Sequence, residues 1–457
     1  MSKTFSTLKH NLGKHPLIAG SFLLTIAGFL SRLIGFFYRM YLSRIFGEEG
    51  MGVYQLLGPV IALSFSLTAA GFQTAISKFV AERTDTDTAY PSCRPLLMGL
   101  SISLPASLLL MIVLQQCNEL VAIHFLQEPR TASMLRILAL SLPLSAVHAC
   151  INGYFYGLKK AGIPAACQLI EQLGRVFSVY LITSVGMLQG STPTLNVTVI
   201  GLVIGEAIST LVCIIALLFH LDSNKTSIHT TNTLTYGVLF TMVLPLVANR
   251  ITLNLLQSIE TVSLPAKLRA FGYDNSTALS VYGVLTGMAF PLLFFPNAIT
   301  SSFAVLLLPL ISERISLGDR EGVKKLTLKT VQTCSLLGFS CMGVFLVFGR
   351  LFGRFLFHSE LAGFFITSLS FICPFLYLNN TLSAILQGMG KVILLFLLNV
   401  SGLLLRLLFI YVFVPTYGIQ GYLWGLLAGQ LFLSIGYLWV IIHTQNPPVI
   451  GEFRKKT

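Results

Sequence analysis

The sequence predicts an all-α integral membrane protein: about twelve transmembrane helices in two pseudo-symmetric six-helix bundles around a central cavity. Three observations carry that expectation. Composition is the first: 54% of the 457 residues are hydrophobic and only 10% are charged, against ~25% charged in soluble domains. Mean hydropathy is +0.79. The second is recurrence, because apolar runs of about 20 residues or more, enough to cross a bilayer, follow one another along the chain. The third is an internal echo between the two halves, in which short motifs and arginines recur at a near-constant offset.

Spans are expected over residues 16–42, 51–80, 95–117, 132–157, 162–187, 196–220, 236–262, 277–311, 327–349, 361–388, 392–416 and 419–443. The first is long, so its ends project or it tilts. Lys and Arg set the orientation. With the N-terminus inside, cytoplasmic segments hold eighteen of the thirty and outer loops hold six. The other six, Arg32, Arg39, Arg136, Arg175, Arg250 and Arg406, lie within spans or at their edges. Both termini are therefore expected on the cytoplasmic side of the cell membrane.

Gly157-Leu158-Lys159-Lys160 closes span four, and Gly388-Met389-Gly390-Lys391 closes span ten. Lys160 and Lys391 are 231 residues apart, as are Arg175 and Arg406 in spans five and eleven. Ala75-Ile76-Ser77-Lys78 and Leu310-Ile311-Ser312-Glu313 end spans two and eight at an offset of 235. Six helices return the chain to its starting side, so such halves are parallel repeats about an axis along the membrane normal. The expected division is 1–220, a polar cytoplasmic linker over 221–235, and 236–457.

Several function classes drop out. The net charge of +13 comes from basic residues at helix ends, where positive-inside loops need them, so nucleic acid is not an expected partner. The eight cysteines (93, 117, 150, 167, 213, 334, 341 and 373) show no CxxC spacing, and no disulfide framework or zinc site is expected. The basic, then apolar N-terminus is too long for a signal peptide and reads as a retained first helix. There is no P-loop, no HExxH and no acidic metal cluster on the membrane surface, which argues against an ATPase, a metalloprotease or a metal-dependent glycosyltransferase. No catalytic residue, metal or cofactor is expected.

The informative residues are charges inside spans. An arginine at bilayer depth costs at least ~2.5–3.5 kcal/mol on insertion scales and faces a partner or a wet cavity. Arg32 and Arg39 are seven residues apart, close to two helical turns, so they share a face. Two cations on one face suggest a cavity for an anion. In span seven, Arg250, Asn254, Gln257 and Thr261 follow one helix face, with Glu260 beside them. Under the repeat, spans one and seven correspond, and both carry arginine. The alternative is that Arg250 and Glu260 are structural. In span five, Glu171 and Arg175 are four apart and can pair within one helix. Arg406 lacks such an acid, because its matching position is Gly402, and needs a partner elsewhere. Glu206 reads as an isolated acid that takes a proton, a cation or an arginine. His148 is the one plausible intramembrane histidine pH sensor, and reads first as a packed histidine. Asn152, Tyr156, Asn379, Asn380 and Gln387 read as interhelical hydrogen bonders. Pro59 in span two and Pro291, Pro296 and Pro309 in span eight interrupt their helices. Pro59, Pro291 and Pro296 are hinge candidates.

Leu30-Ser31-Arg32-Leu33-Ile34-Gly35-Phe36-Phe37-Tyr38-Arg39, continuing through Gly47 to Glu49-Gly50-Met51-Gly52-Val53-Tyr54-Gln55, resembles the start of the polysaccharide biosynthesis and stage V sporulation protein B family. Span eight, Tyr282 to Pro296 and Leu308 to Glu313, is similar to the same family, as is Leu256 to Thr261. The resemblance covers most of the chain. It implies the fold of the multidrug/oligosaccharidyl-lipid/polysaccharide exporter superfamily and a relation to MurJ-type lipid II flippases. It further implies movement of an undecaprenyl-diphosphate-linked sugar between leaflets, with first-helix arginines, here Arg32 and Arg39, meeting the diphosphate. Many members have fourteen spans where twelve are counted here. Cofactor-free coupling to membrane potential, protons or sodium is the family expectation.

The resulting expectation is a flippase, not an enzyme, with a lipid-linked sugar and membrane lipids as partners. Arg32, Arg39, Arg250, Asn254, Gln257 and Glu260 would bind the substrate. Glu171, Arg175, Glu206 and Arg406 would couple it or form structural ion pairs. One alternative is a cation-coupled multidrug exporter of the same fold, against which stand six span arginines to three acids. Another is a membrane-embedded polymerase or acyltransferase, which would need a catalytic acid or histidine and a large loop.

Overall fold

The computed structural model describes residues 16–84, 93–223 and 235–445. Helices dominate, and no strand occurs among the described residues. The predicted 221–235 linker falls mostly outside the described residues, as do the N-terminal fifteen residues and residues 446–457.

The first half contains α1 (Pro16–Gln55), α2 (Gly58–Phe65), α3 (Gly71–Thr84), α4 (Arg94–Gln116), α5 (Thr131–Leu138), α6 (Ser141–Gly157), α7 (Gly162–Leu188) and α8 (Asn196–Ser223). α9 (Tyr236–Phe271) follows. Then come α10 (Asn275–Gly283), α11 (Asn297–Ser316), α12 (Arg320–Phe357), α13 (Glu360–Leu369), α14 (Cys373–Gly388), α15 (Val392–Val412) and α16 (Ile419–Gln445). The chain divides into two compact units, Met1–Ser258 and Ile259–Thr457, and the division falls inside α9.

Eleven helices among the described residues are long and apolar enough to cross a membrane, and α5 with α6, bent by 42°, adds a twelfth. α7 is as long as its neighbours at 27 residues. Its Gln168, Glu171, Gln172 and Arg175 leave it less apolar than those spans. The eighth predicted span divides in two, Asn275–Leu293 and Asn297–Ser316. Pro291 sits in the short helix before the break and Pro296 caps α11. Pro59 occupies the first turn of α2, after a turn at Leu56–Leu57. α1 is two helices meeting at Gly47, whose φ of 67° lies in the region that favours glycine. π-helical turns interrupt both spans that carry the hinge-candidate prolines, at Ser66–Ala70 and Val284–Ala289.

The two units repeat one packing scheme. In the first, α7 packs on α8, and α6 on α3, α4 and α8. In the second, α15 packs on α16, and α14 on α11, α12 and α16. Close glycine contacts give the register. A Cβ built on Gly157 would lie 2.7 Å from the Ser77 carbonyl oxygen and 2.5 Å from Val80 Cβ. One built on Gly388 would lie 2.8 Å from the Leu308 carbonyl oxygen and 2.9 Å from Ile311 Cβ. Gly157, Ser77 and Val80 thus correspond to Gly388, Leu308 and Ile311 at one offset, 231. The offset of 235 read from spans two and eight is one turn out of register. In the last helix of each unit the offset drops to 224. A Cβ on Gly205 would meet the Glu171 carbonyl at 2.6 Å and Arg175 Cβ at 3.1 Å, while one on Gly429 would meet Arg406 Cγ at 2.9 Å and lie 3.7 Å from the Gly402 carbonyl.

These contacts make a test of the α7–α8 packing. Gly205→Ala forces its methyl into backbone and should destabilise the protein by about 1–3 kcal/mol. Gly28→Ala has nothing within 4 Å of the new Cβ and should be neutral or slightly stabilising. Denaturant titration in mixed micelles compares the two; equal midpoints would refute the contact.

Candidate functional site: a polar cavity in the first unit

Polar side chains on three helices of the first unit converge on one cavity. Its volume is about 270 Å³, and α6, α7 and α8 contribute His148, Glu171, Arg175 and Glu206. The remaining lining includes Gln73, Ser141, Ser145 and Asn152, with Ile61 and Phe65 on the apolar side. The helices come this close because Gly201 and Gly205 of α8 lie directly on the α7 backbone.

Inside the cavity, His148 Nδ1 lies 2.9 Å from Glu206 Oε1, and His148 Nε2 lies 3.3 Å from the Ser209 hydroxyl. That hydroxyl has one hydrogen, which it donates to the Cys167 carbonyl oxygen at 3.0 Å. Its lone pair therefore faces the ring, so Nε2 donates. At Nδ1 the pattern requires a proton between ring and carboxylate, either as imidazolium facing carboxylate or as neutral ring facing carboxylic acid. The network thus holds one proton more than a neutral histidine beside a carboxylate. Glu171 accepts from Arg175 one turn along α7. Ligand atoms of His148, Glu171 and Glu206 all lie within 4.8 Å of one another.

Arg175 also faces α1. Gly35 sits opposite Gln172, where an added Cβ would lie 3.3 Å from Nε2. Tyr41 hydrogen-bonds Thr183 and its ring lies 5.8 Å from that of Tyr180. The helices therefore run parallel, with Tyr38 and Arg39 level with Arg175, and the two guanidinium charges interact. The buried Tyr38 hydroxyl and Arg175 Nε have no hydrogen-bond partner among the described residues. Neither does Arg39 form an ion pair there. Two cations, one orphaned hydroxyl and one acid make a cradle with spare positive charge.

The other expected site residues are dispersed. Arg32 is exposed and Arg39 half-buried, so the shared face of α1 turns from surface to interior along its length. Arg250 and Gln257 are exposed, while Asn254 binds the Ser66 hydroxyl at 2.6 Å and the Ala62 carbonyl at 3.3 Å. That half of α9 thus ties down the π turn of the second span. Glu260 does not join the stripe: it is buried in the second unit, 2.8 Å from Arg406 and accepting from Tyr422 at 2.8 Å. It is the partner that Arg406 lacked on its own helix. Glu206, expected to be isolated, is the partner of His148.

Sequence inspection missed the His148–Glu206 pair and Tyr38. The repeat contains the signal once its offsets are known. At 231 and 224, His148 and Glu206 correspond to Asn379 and Gln430, and Asn379 Nδ2 donates to Gln430 Oε1 at 2.8 Å. Both units place a polar pair at this point, and only the first makes it ionisable.

The polysaccharide biosynthesis protein profile matches residues 17–314. The chain belongs to that family. It is 26% identical over 431 residues to stage V sporulation protein B of Bacillus subtilis (strain 168), covering 93% of this chain and 83% of the relative. It is 23% identical over 406 residues to lipid II flippase MurJ of the same organism, covering 82% of this chain and 73% of that one. An inward-facing multidrug resistance MATE family transporter of the MOP superfamily superposes with a TM-score of 0.72 at 15% identity, over 90% of this chain and 94% of that one. The protein is thus a multi-pass membrane protein with the MATE-like fold of that transporter superfamily.

Exchanging the first unit's pair for the second unit's tests the geometry. His148→Asn with Glu206→Gln should fold with near-parental stability, since Asn379–Gln430 packs in the same place. Glu206→Ala alone strands a buried polar ring and should cost about 3–5 kcal/mol. Denaturant titration in micelles should rank the double variant above the single one; the reverse order refutes the equivalence.

Proposed function

We propose that this protein is a flippase that carries an undecaprenyl-diphosphate-linked oligosaccharide, a cell-wall or polysaccharide precursor, from the inner to the outer leaflet. The observation that carries the reading is the excess of positive charge at Arg39 and Arg175 on neighbouring helices, facing a buried hydroxyl with no partner among the described residues. A diphosphate supplies the missing negative charge and acceptor oxygens, and guanidinium forks bind such oxygens in bidentate fashion. The sugar travels in a polar passage while the prenyl tail remains in lipid. The lipid II flippase among the relatives and the family's name support the substrate class. Arg32, exposed on the same helix, makes a first contact with the phosphate. On this reading both termini lie in the cytoplasm, which the distribution of Lys and Arg supports.

The MATE-type fold also fits a multidrug exporter of cations. An arginine-rich cradle disfavours such cargo, since like charges repel in a low-dielectric site.

Flipping in proteoliposomes of a fluorescent, undecaprenyl-diphosphate-linked sugar is the direct test. Arg39→Ala should lower the rate at least tenfold, as expected when a charge-assisted contact of ~1.5–3 kcal/mol is lost. Arg32→Ala should raise the half-saturating substrate level with less effect on the maximal rate. Full flipping in the Arg32→Ala, Arg39→Ala double variant would refute the assignment, and export of cationic dyes without flipping would favour the multidrug reading.

A further inference from the structure

The cavity contains a second binding function that the anion cradle does not use. His148, Glu171, Glu206 and Arg175 face one another across about 270 Å³. With the shared proton between His148 and Glu206, that pair is neutral. Glu171 with Arg175 is neutral as well. The loaded cavity therefore carries no net charge, the cheapest state for a site away from water. A divalent ion in place of the proton would leave a net positive charge beside Arg39. The charge balance thus selects one singly charged occupant, and the 2.9 Å between His148 Nδ1 and Glu206 Oε1, a hydrogen-bond distance, fits a proton.

Arg175 belongs to both sites. It donates to Glu171 on the cavity side, while its Nε, on the same guanidinium, lacks a partner among the described residues and the group is level with Arg39. A guanidinium that turns toward an incoming anion leaves Glu171 as an uncompensated carboxylate. Glu206 and His148 lie within reach of it, but their pair is already neutral and offers no compensating charge. Taking a proton from water in the cavity removes that charge.

We propose that His148, Glu171 and Glu206 form a proton-binding site linked to anion binding through Arg175, such that one proton enters the cluster for each diphosphate that docks. The step breaks the Arg175–Glu171 ion pair, forms the Arg175–phosphate pair, and places a solvent proton on a Glu171 oxygen. No other charge changes. The groups around His148 are Glu171, Arg175 and Cys167 from α7 and Glu206 and Cys213 from α8. The side chains that α2 and α3 bring to the cavity, Ile61, Phe65 and Gln73, are uncharged, and α4 brings none. At the corresponding positions the second unit carries Asn379, Gly402 and Gln430, none of which binds a proton near neutral pH.

The inference rests on the diphosphate reading above, and the experiment separates the two. The full chain in nanodiscs is titrated with farnesyl diphosphate by calorimetry in buffers of different ionisation enthalpy, from pH 5.5 to 8. The expected result is uptake of about one proton per diphosphate and, by reciprocal linkage, an affinity that rises up to tenfold per pH unit lowered. Glu171→Gln, which frees Arg175 without adding volume, should bind more tightly at pH 8, take up no proton and show no pH slope. Glu171→Asp should restore the slope. Binding by the parent with no proton uptake, or an unchanged slope in Glu171→Gln, overturns the linkage and leaves the substrate class standing. No binding of the diphosphate by the parent overturns both.

Discussion

A charge within hydrocarbon must be neutralised by whatever the helices bring near it, and this single constraint organises the polar interior of both units. The duplicated arginine shows how differently it can be met. In the first unit Arg175 finds its acid one turn back on the same helix, at Glu171. In the second, the residue in the place of Glu171 is Gly402, and the acid comes from another helix, as Glu260. The mechanical consequences differ. Glu260 accepts from Arg406 of α15 and from Tyr422 of α16, so three helices are clamped by one carboxylate. The Glu171–Arg175 pair joins α7 only to itself. It neutralises two charges without fastening α7 to a neighbour, so either partner can change company without disturbing the packing.

Packing is instead the task of small residues. Gly201 and Gly205 press α8 against the α7 backbone, and Gly153 and Gly157 press α6 against α3. Helices in lipid gain little from hydrophobicity when they associate, so close backbone approach supplies the attraction. This separation of tasks explains why polar residues at the same site can differ between units. Glycine contacts hold the helices at one distance, and the residues aimed into the gap vary from His148 and Glu206 to Asn379 and Gln430.

Much of the architecture was legible because the signals are local. Apolar runs marked the helices, and the shared spacing of Arg175 and Arg406 marked the repeat. Residues whose meaning depends on a distant partner were not legible. Nothing near Glu206 in the chain points to His148, fifty-eight residues earlier, and nothing near Arg406 points to Glu260. The register of spans two and eight failed for another reason. Helical faces recur about every 3.6 residues, so a slip of four leaves the same face inward and an Ile-Ser match survives it. Only the glycine contacts, which lock one turn against one carbonyl, distinguish 231 from 235. The long eighth span was read as continuous because its apolar character runs unbroken through Phe294 and Phe295, while the backbone turns there, ahead of Pro296.

The difference between the units bears on why the first keeps its acids. Asn379 and Gln430 demonstrate that a neutral amide pair fills this position with good hydrogen bonds, Asn379 also accepting from Ser434 at 2.8 Å. The fold therefore does not require His148 and Glu206 to be ionisable. A buried ionisable pair is seldom the more stable choice when a neutral one of similar size fits. Stability gives no reason to retain two carboxylates and a histidine around a cavity when the same scaffold, elsewhere in the same chain, does without them. The reason must lie in what such groups do that amides cannot, which is to gain and lose a proton as Arg175 is drawn toward or away from a neighbouring anion.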